Sequence, residues 1–572
     1  MNPVIHYTVT PLISRNIFAI RMSVQNTQDG FEVYLPNWIP GSYMLRDFAR
    51  HIVTIHAVDD HHQPVKLTPL NQHTWHVAAN SNVTLHYEVY AHDTSVRTAF
   101  LDASGGFFNG TSLFLSVKHL DRHAHRVTLL APTDHANWQI ATTLSRMPNT
   151  IARGFGDYFA HDYDELVDHP VRIGQLTWLK FKAHDTLHEV AIAGSVPYLD
   201  KAILARDLQS ICENQITLFN SPAPFKRYLF IVDARGDGYG GLEHRDSTAL
   251  LCRRDDLPKH IDATERREEY LTFLGLCSHE YFHSWNVKRI KPANFVTYDL
   301  AQTIDTSLLW FFEGVTSYYD DLVLARTAIL SEAQYFKRLE NTLNAVMRHD
   351  GNRVQTVSES GFYAWTKYYQ ASPNTPNAVV SYYAKGSLVA LALDLFIRQH
   401  SHDRFSFDDV MRDLWQAFGR DFYQNPRGLT LDDIIRACQK YAPDIEPLFQ
   451  TILHTTNDLP LDDLFKANGM SLTQTKSNVA QLGAMVKKVD GGYQIVRVLN
   501  NGAAQKANLA PDDVLLTFDS LKLNSTPDDV LKHFKINQTI TVHFLRDDVL
   551  CSTTLVTQVS AQGIYQLGLA TV

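Results

Sequence analysis

The spacing of apolar side chains changes period twice along this 572-residue chain, and that change constrains the fold more than any other feature. In the first third the period is two. Phe18, Ile20, Met22 and Val24 alternate with Ala19, Arg21, Ser23 and Gln25, as in a strand with one buried face. Val83, Leu85, Tyr87 and Val89 repeat the alternation, and turn pairs such as Asp29-Gly30 and Pro40-Gly41 separate such runs. From about 263 to 455 the period becomes helical. Ser331-Glu332-Ala333-Gln334 reads as a capping box ahead of Phe336, Leu339, Leu343 and Val346. Thr430-Leu431-Asp432-Asp433 opens another helix, and Gly386 to about Arg398 forms a strongly apolar one. Residues 175–250 mix short strands with a glycine-rich stretch, and the last hundred residues return to β-structure.

One core does not serve such a length, so several domains are expected. The reading is a multidomain α+β protein: a β-sandwich domain over 1–170, a second domain over 171–455 with a helical C-terminal half, and a β-rich domain over 466–572. The polar stretch 455–468 is expected to link the last two. A net charge of −9 leaves no basic surplus for phosphates, which argues against nucleic acid as partner. No run of about 18 apolar residues exists to span a membrane. Five cysteines, odd in number and never paired as C-x-x-C, do not form a disulfide framework. No basic stretch followed by an apolar one marks the N-terminus as a signal peptide, so a cytoplasmic location is expected.

Chemistry concentrates at His279-Glu280-Tyr281-Phe282-His283. On a helix, residues four apart share a face, so His279 and His283 bind one metal ion together while Glu280 is placed to deprotonate the attacking water. A catalytic zinc takes three protein ligands. Glu313, embedded in Trp310-Phe311-Phe312-Glu313-Gly314, is read as the third, because a carboxylate buried among aromatics needs compensation; the other reading is an exposed glutamate on an amphipathic helix. Tyr383, in Ser381-Tyr382-Tyr383-Ala384-Lys385-Gly386, stands at a helix entrance. Beside a zinc site its hydroxyl is suited to an oxyanion; alone it reads as a packing tyrosine. Gly240 and Gly241, in Gly238-Tyr239-Gly240-Gly241-Leu242-Glu243-His244, let a backbone approach an extended peptide. Glu243 suits a peptide's α-amine, or is simply a solvated turn residue.

The segments HEYFHSWNVKRIKP, WFFEGVTSYYDDL, GGLEHRDS and SYYAKGSL resemble those of the M61 glycyl aminopeptidases, gluzincin metallopeptidases. The M1 aminopeptidases are more distantly similar. Their Gly-x-Met-Glu-Asn loop aligns with 240–244 and their Tyr-x-Lys-Gly with 383–386, although Leu242 replaces methionine and His244 replaces asparagine. The resemblance implies a thermolysin-like catalytic domain and one zinc ion per chain held by His279, His283 and Glu313. It implies Glu280 as general base, Tyr383 on the oxyanion and Glu243 on the substrate amine. The implied substrates are peptides with a free N-terminal glycine or alanine.

Asn501-Gly502-Ala503-Ala504, followed by Ala510-Pro511-Asp512-Asp513 and an apolar strand, resembles a PDZ domain, with Asp512 where glycine is usual. The best carboxylate loop for a peptide C-terminus is Leu482-Gly483-Ala484-Met485. Two other readings use the same residues: a zinc endopeptidase, and an inactive PDZ scaffold. The complete catalytic set argues against the scaffold.

Overall fold

The computed structural model describes residues 4–25, 29–220, 222–560 and 563–569. These fall into two compact units. One comprises 1–304, 319–330 and 414–429; the other comprises 305–318, 331–413 and 430–572.

In the first unit the period-two segments form the strands they predict. Ile5–Leu12 pairs antiparallel with Ile17–Val24, which pairs antiparallel with Val83–Tyr90. Their inward residues, including Tyr7, Ile20, Met22, Leu85 and Tyr87, are at most 2 % exposed. They belong to an eight-stranded sheet, accompanied by two four-stranded sheets. Buried tyrosine hydroxyls satisfy backbone carbonyls that the strands leave unpaired. Tyr7, Tyr87 and Tyr163 donate to the carbonyls of Leu115, Leu113 and Phe114 at 2.6, 3.0 and 2.6 Å.

The same unit holds a five-stranded sheet in which β1 (Leu176–Ala183), β2 (Thr186–Ala193), β3 (Arg227–Arg235), β4 (Gly240–Glu243) and β5 (Ser247–Arg253) lie in the order β1-β2-β3-β5-β4. The parallel pair β2–β3 needs a crossover, and the 18-residue helix α1 (Lys201–Leu218) supplies it. Composition suggests only short strands and glycines here. Yet Asp200 caps α1, accepting from Ala202 and Ile203 N–H, and Leu204, Leu208, Ile211 and Cys212 bury its inner face. Strand β4 is the edge, antiparallel to β5 alone.

In the second unit, α4 (Glu332–Met347) starts with the expected capping box at Ser331, and α5 (Ala384–Ser401) is the buried apolar helix. The expected linker is partly structured: Leu461–Ala467 is a helix burying Leu461, Leu464 and Phe465, because these three apolar residues share one face. A C-terminal sheet closes over Ile495, Leu515, Phe518 and Val542. Asp512 adopts φ +73°, the left-handed conformation for which glycine is usual, and its side chain accepts from Gln494 at 3.0 Å. No helix among the described residues is long and apolar enough to cross a membrane.

Candidate metal and peptide site

Helix α2 (Glu268–Phe282) carries His279 and Glu280 in its last turn, with His283 as the C-terminal cap residue. Its buried residues lie on all sides, from Tyr270 to Phe282, so this is a core helix rather than a surface one. Glu280 and His283 are 5 % and 1 % exposed.

The hydrogen bonds on the imidazoles fix their tautomers. His283 Nδ1 lies 2.8 Å from the Asn286 carbonyl oxygen, and His279 Nδ1 lies 3.3 Å from Asp320 Oδ2. Both partners accept, so both Nδ1 atoms carry hydrogen and both Nε2 atoms present a lone pair. The rings sit 4.7 Å apart. That donor set suits a borderline-soft divalent cation. The Asn286 carbonyl is held by backbone strain: Val287 follows at φ +135°, costly for a β-branched residue. Its neighbours restrain it, Lys288 N–H donating to the His283 carbonyl at 3.0 Å and Ile290 N–H to the Trp285 carbonyl at 2.8 Å.

Edge strand β4 lies against this helix. A β-carbon on Gly241 would overlap Glu280 Oε1, so only glycine lets the strand approach. One ligand atom each from Glu243, Glu280 and His283 lies within 4.8 Å of the others. Glu243 is 4 % exposed and is not the solvated turn residue. Gly240 is flanked by Arg97, whose Nη2 donates to the Gly241 carbonyl at 3.0 Å.

Behind β4 a charged network locks the segment after α2. Lys288 Nζ donates to Asp168 at 2.7 Å, and Arg245 and His244 also reach Asp168. Burial alone would raise the Asp168 carboxyl, but Lys288, the hydrogen bond with His244 and Arg245 hold it well below the usual carboxylate range.

In the second unit, Glu313 is 2 % exposed on a π-helical turn, Trp310–Gly314, that runs into α3 (Val315–Arg326). Single π-turns inside helices are frequent at functional sites. Helix α5 crosses that turn glycine to glycine: a β-carbon on Gly314 would fall 2.5 Å from Gly386 Cα. Tyr383, the residue before α5, is thereby brought near Glu313. Burial first, and then the Glu313 charge, push its hydroxyl well above the ordinary range, so it stays protonated as a donor. Its oxygen lies 3.3 Å from that of Tyr369.

The C-terminal loop Leu482–Met485 borders the C-terminal sheet, and its Leu482 N–H donates to Asp528 at 2.7 Å. Sequence reasoning missed Asp320, Asn286, Arg97 and Tyr369. Asp320, on the helix that follows Glu313, and Asn286, three residues after His283, lie close in sequence to the motif residues; Arg97 and Tyr369 become visible only through contacts distant in sequence.

Family models match residues 6–175 to the peptidase M61 N-terminal domain, 272–389 to the M61 glycyl aminopeptidase and 480–556 to the PDZ domain. The crystal structure of an aminopeptidase N family protein from Idiomarina loihiensis matches at 37% identity with a TM-score of 0.94, over 99% of this chain and 98% of that one. An M1 zinc metallopeptidase from Deinococcus radiodurans matches at 12% identity with a TM-score of 0.48, over 80% of this chain and 94% of that one. No curated protein sequence matches. A match at 37% identity along nearly the whole chain, with M61 segments at both the β-rich and the histidine-bearing regions, places the protein in the M61 glycyl aminopeptidase family of metallopeptidases, with a PDZ domain at its C-terminal end.

Proposed function

We propose that the protein is a zinc-dependent aminopeptidase that releases small N-terminal residues, glycine or alanine, from peptides. The observation that carries the reading is a pair of imidazoles four residues apart at the end of one helix, each oriented by an acceptor on its Nδ1 atom. Glu313 completes the ligand set in this proposal. Support comes from its own surroundings: the Glu313 carboxylate is 2 % exposed in an aromatic run, where a cation would compensate its charge. Zinc held there, one per chain, would supply Lewis acidity toward a carbonyl oxygen and a bound water.

The protein's own residues do the remainder. Glu280 takes a proton from the attacking water and returns it to the departing amine. Tyr383, kept protonated, donates to the oxygen that gains charge. Glu243 accepts from the substrate's α-ammonium. The PDZ domain takes peptide C-termini by strand addition at the loop Leu482–Met485. Five unpaired cysteines suit a reducing compartment, the cytoplasm.

The test is hydrolysis of glycyl and alanyl anilides before and after chelation and zinc restoration, with Glu280→Gln alongside. The expected result is chelator-sensitive release, and a variant that keeps its zinc but loses about 10²–10⁴-fold in turnover. Full turnover in that variant, or loss of its metal, removes Glu280 as the base. Cleavage of acetylated peptides by the wild type identifies an endopeptidase instead.

A further inference from the structure

We infer that the N-terminal β-region sets the length of the cleft: the turn Ile39–Ser42 and Arg97 close strand β4 so that a substrate is read from its free amine. This rests on the proposed roles of Glu280 and Glu243, and identifies what makes the site an exopeptidase site.

Strand β4 acts as a ruler. Gly241 abuts Glu280, which marks where water attacks, and Glu243 follows two residues later. Two strand residues span about 6–7 Å. Within one amino-acid residue the carbonyl carbon stands about 2.5 Å from the nitrogen, and a charge-assisted hydrogen bond adds about 2.8 Å. The interval therefore fits one residue and its ammonium, with no room for a second. Among the described residues no donor bonds the Glu243 carboxylate, although Glu243 is 4 % exposed. Buried Lys288 offsets part of its charge, and a substrate ammonium supplies the hydrogen-bond donor that the carboxylate lacks.

The far side of that carboxylate is walled. A β-carbon on Gly41 would fall 2.6 Å from Glu243 Oε1 and closer still to Oε2, so the turn's backbone already touches the carboxylate. Gly41 adopts φ +92°, which also favours glycine. The turn is pinned at its base. Asn37 N–H donates to the Leu300 carbonyl and Trp38 Nε1 to the Gln302 carbonyl, both at 2.8 Å. Trp38, Ile39 and Tyr43 are each 1 % exposed. A residue added ahead of the amine would have to displace a buried, hydrogen-bonded turn.

Arg97 closes the strand's length. An edge strand offers unpaired carbonyls and N–H groups on which an extended peptide pairs. The Arg97 guanidinium occupies the Gly241 carbonyl at 3.0 Å. With that acceptor taken, a substrate lacks a continuous ladder and depends on its ammonium for binding. Gly41 and Arg97 are positioning residues: they act through Glu243 and the strand backbone.

The experiment compares wild type, Gly41→Ala, Arg97→Ala and Arg97→Lys on alanyl anilide and on an N-acetylated, internally quenched peptide, with zinc content and thermal midpoint measured for each. Gly41→Ala should raise KM for the anilide by about 10-fold or more, with kcat and zinc content nearly unchanged, because it displaces the amine's partner. Arg97→Ala should gain cleavage of the acetylated peptide, and Arg97→Lys, which keeps a donor, should not. Should Gly41→Ala fail to fold, the half-buried Arg97 carries the test alone. Wild-type activity on the anilide with unchanged KM in Gly41→Ala, and no acetylated-peptide cleavage in Arg97→Ala, overturns this inference only. A wild type inactive on free-amine anilides overturns the aminopeptidase reading itself.

Discussion

The surroundings of helix α2 and the C-terminal sheet treat buried polar groups in opposite ways. Around α2, Glu243, His244, Glu280, His283, Asn286, Lys288, Arg289 and Lys291 are all buried. In the C-terminal sheet the core is apolar, from Leu482 to Leu555, and the buried polar residues among those described are Asp513 and Thr557. Asp513 is fully served: Arg546 donates to it through Nε and Nη2 at 2.8 Å each, and Ala510 N–H adds a third bond at 2.8 Å. The C-terminal sheet is therefore stabilised by ordinary packing. The α2 region keeps many more polar groups out of water and holds them by networks such as Lys288, His244 and Arg245 on Asp168.

The largest effect expected of this contrast is on stability. Leu515 is 0 % exposed at the centre of the C-terminal sheet. Leu515→Ala should cost about 2–5 kcal/mol in urea unfolding monitored on that sheet, while hydrolysis of short anilides under native conditions is retained. Equal loss of activity and stability would break the contrast, because the sheet would then be part of the catalytic machinery.

A smaller effect is expected where a polar group serves chemistry alone. The Asp320 side chain is 22% exposed, and it accepts from His279 Nδ1 through one oxygen and from the Asp321 N–H through the other. Asp320→Ala should lower zinc affinity by about 10–100-fold, measured by competition with a chelator, with a nearly unchanged thermal midpoint. Unchanged affinity would show that the His279 tautomer needs no such partner.

The same contrast explains what could be read from the sequence. The histidine pair, Glu280 and Glu313 were legible because helical spacing and an aromatic surround are local properties. Alternation revealed the N-terminal strands for the same reason, and Ser331 announced its helix. Helix α1 carries a legible cap at Asp200, but the region 175–250 reads as short strands with a glycine-rich stretch. The π-turn at Trp310–Gly314 has no local signature, since its sequence also suits an α-helix. Gly41 showed only as part of a turn. Its contact with Glu243, like the bond from Arg97 to a carbonyl 144 residues away, exists only once the β-region folds onto β4. Positions that set specificity from a distance are the ones that local periodicity does not report.

The smallest effect tests whether the polar interior near α2 also sets acid sensitivity. His188 on β2 is 0 % exposed and stacks on Phe181. Its Nδ1 donates to the Thr186 carbonyl, so its Nε2 accepts from Tyr281, inside the metal-binding motif, at 2.9 Å. Burial pulls the ring from 6.5 to about 4, against the opposing hydrogen bond to Thr186. In that interval the unfolded chain binds a proton that the folded chain refuses. The stability contribution is therefore complete above about pH 6.5 and is lost as the pH falls toward 4, at up to about 1.4 kcal/mol per pH unit. His125, also pulled to about 4 by burial, adds a parallel loss. His188→Gln, which cannot titrate, should reduce the slope of unfolding free energy against pH in that window by about one proton and leave the share of His125. If the slope is unchanged, acid sensitivity arises elsewhere, and the polar interior around α2 serves the site without setting the pH limit of the fold.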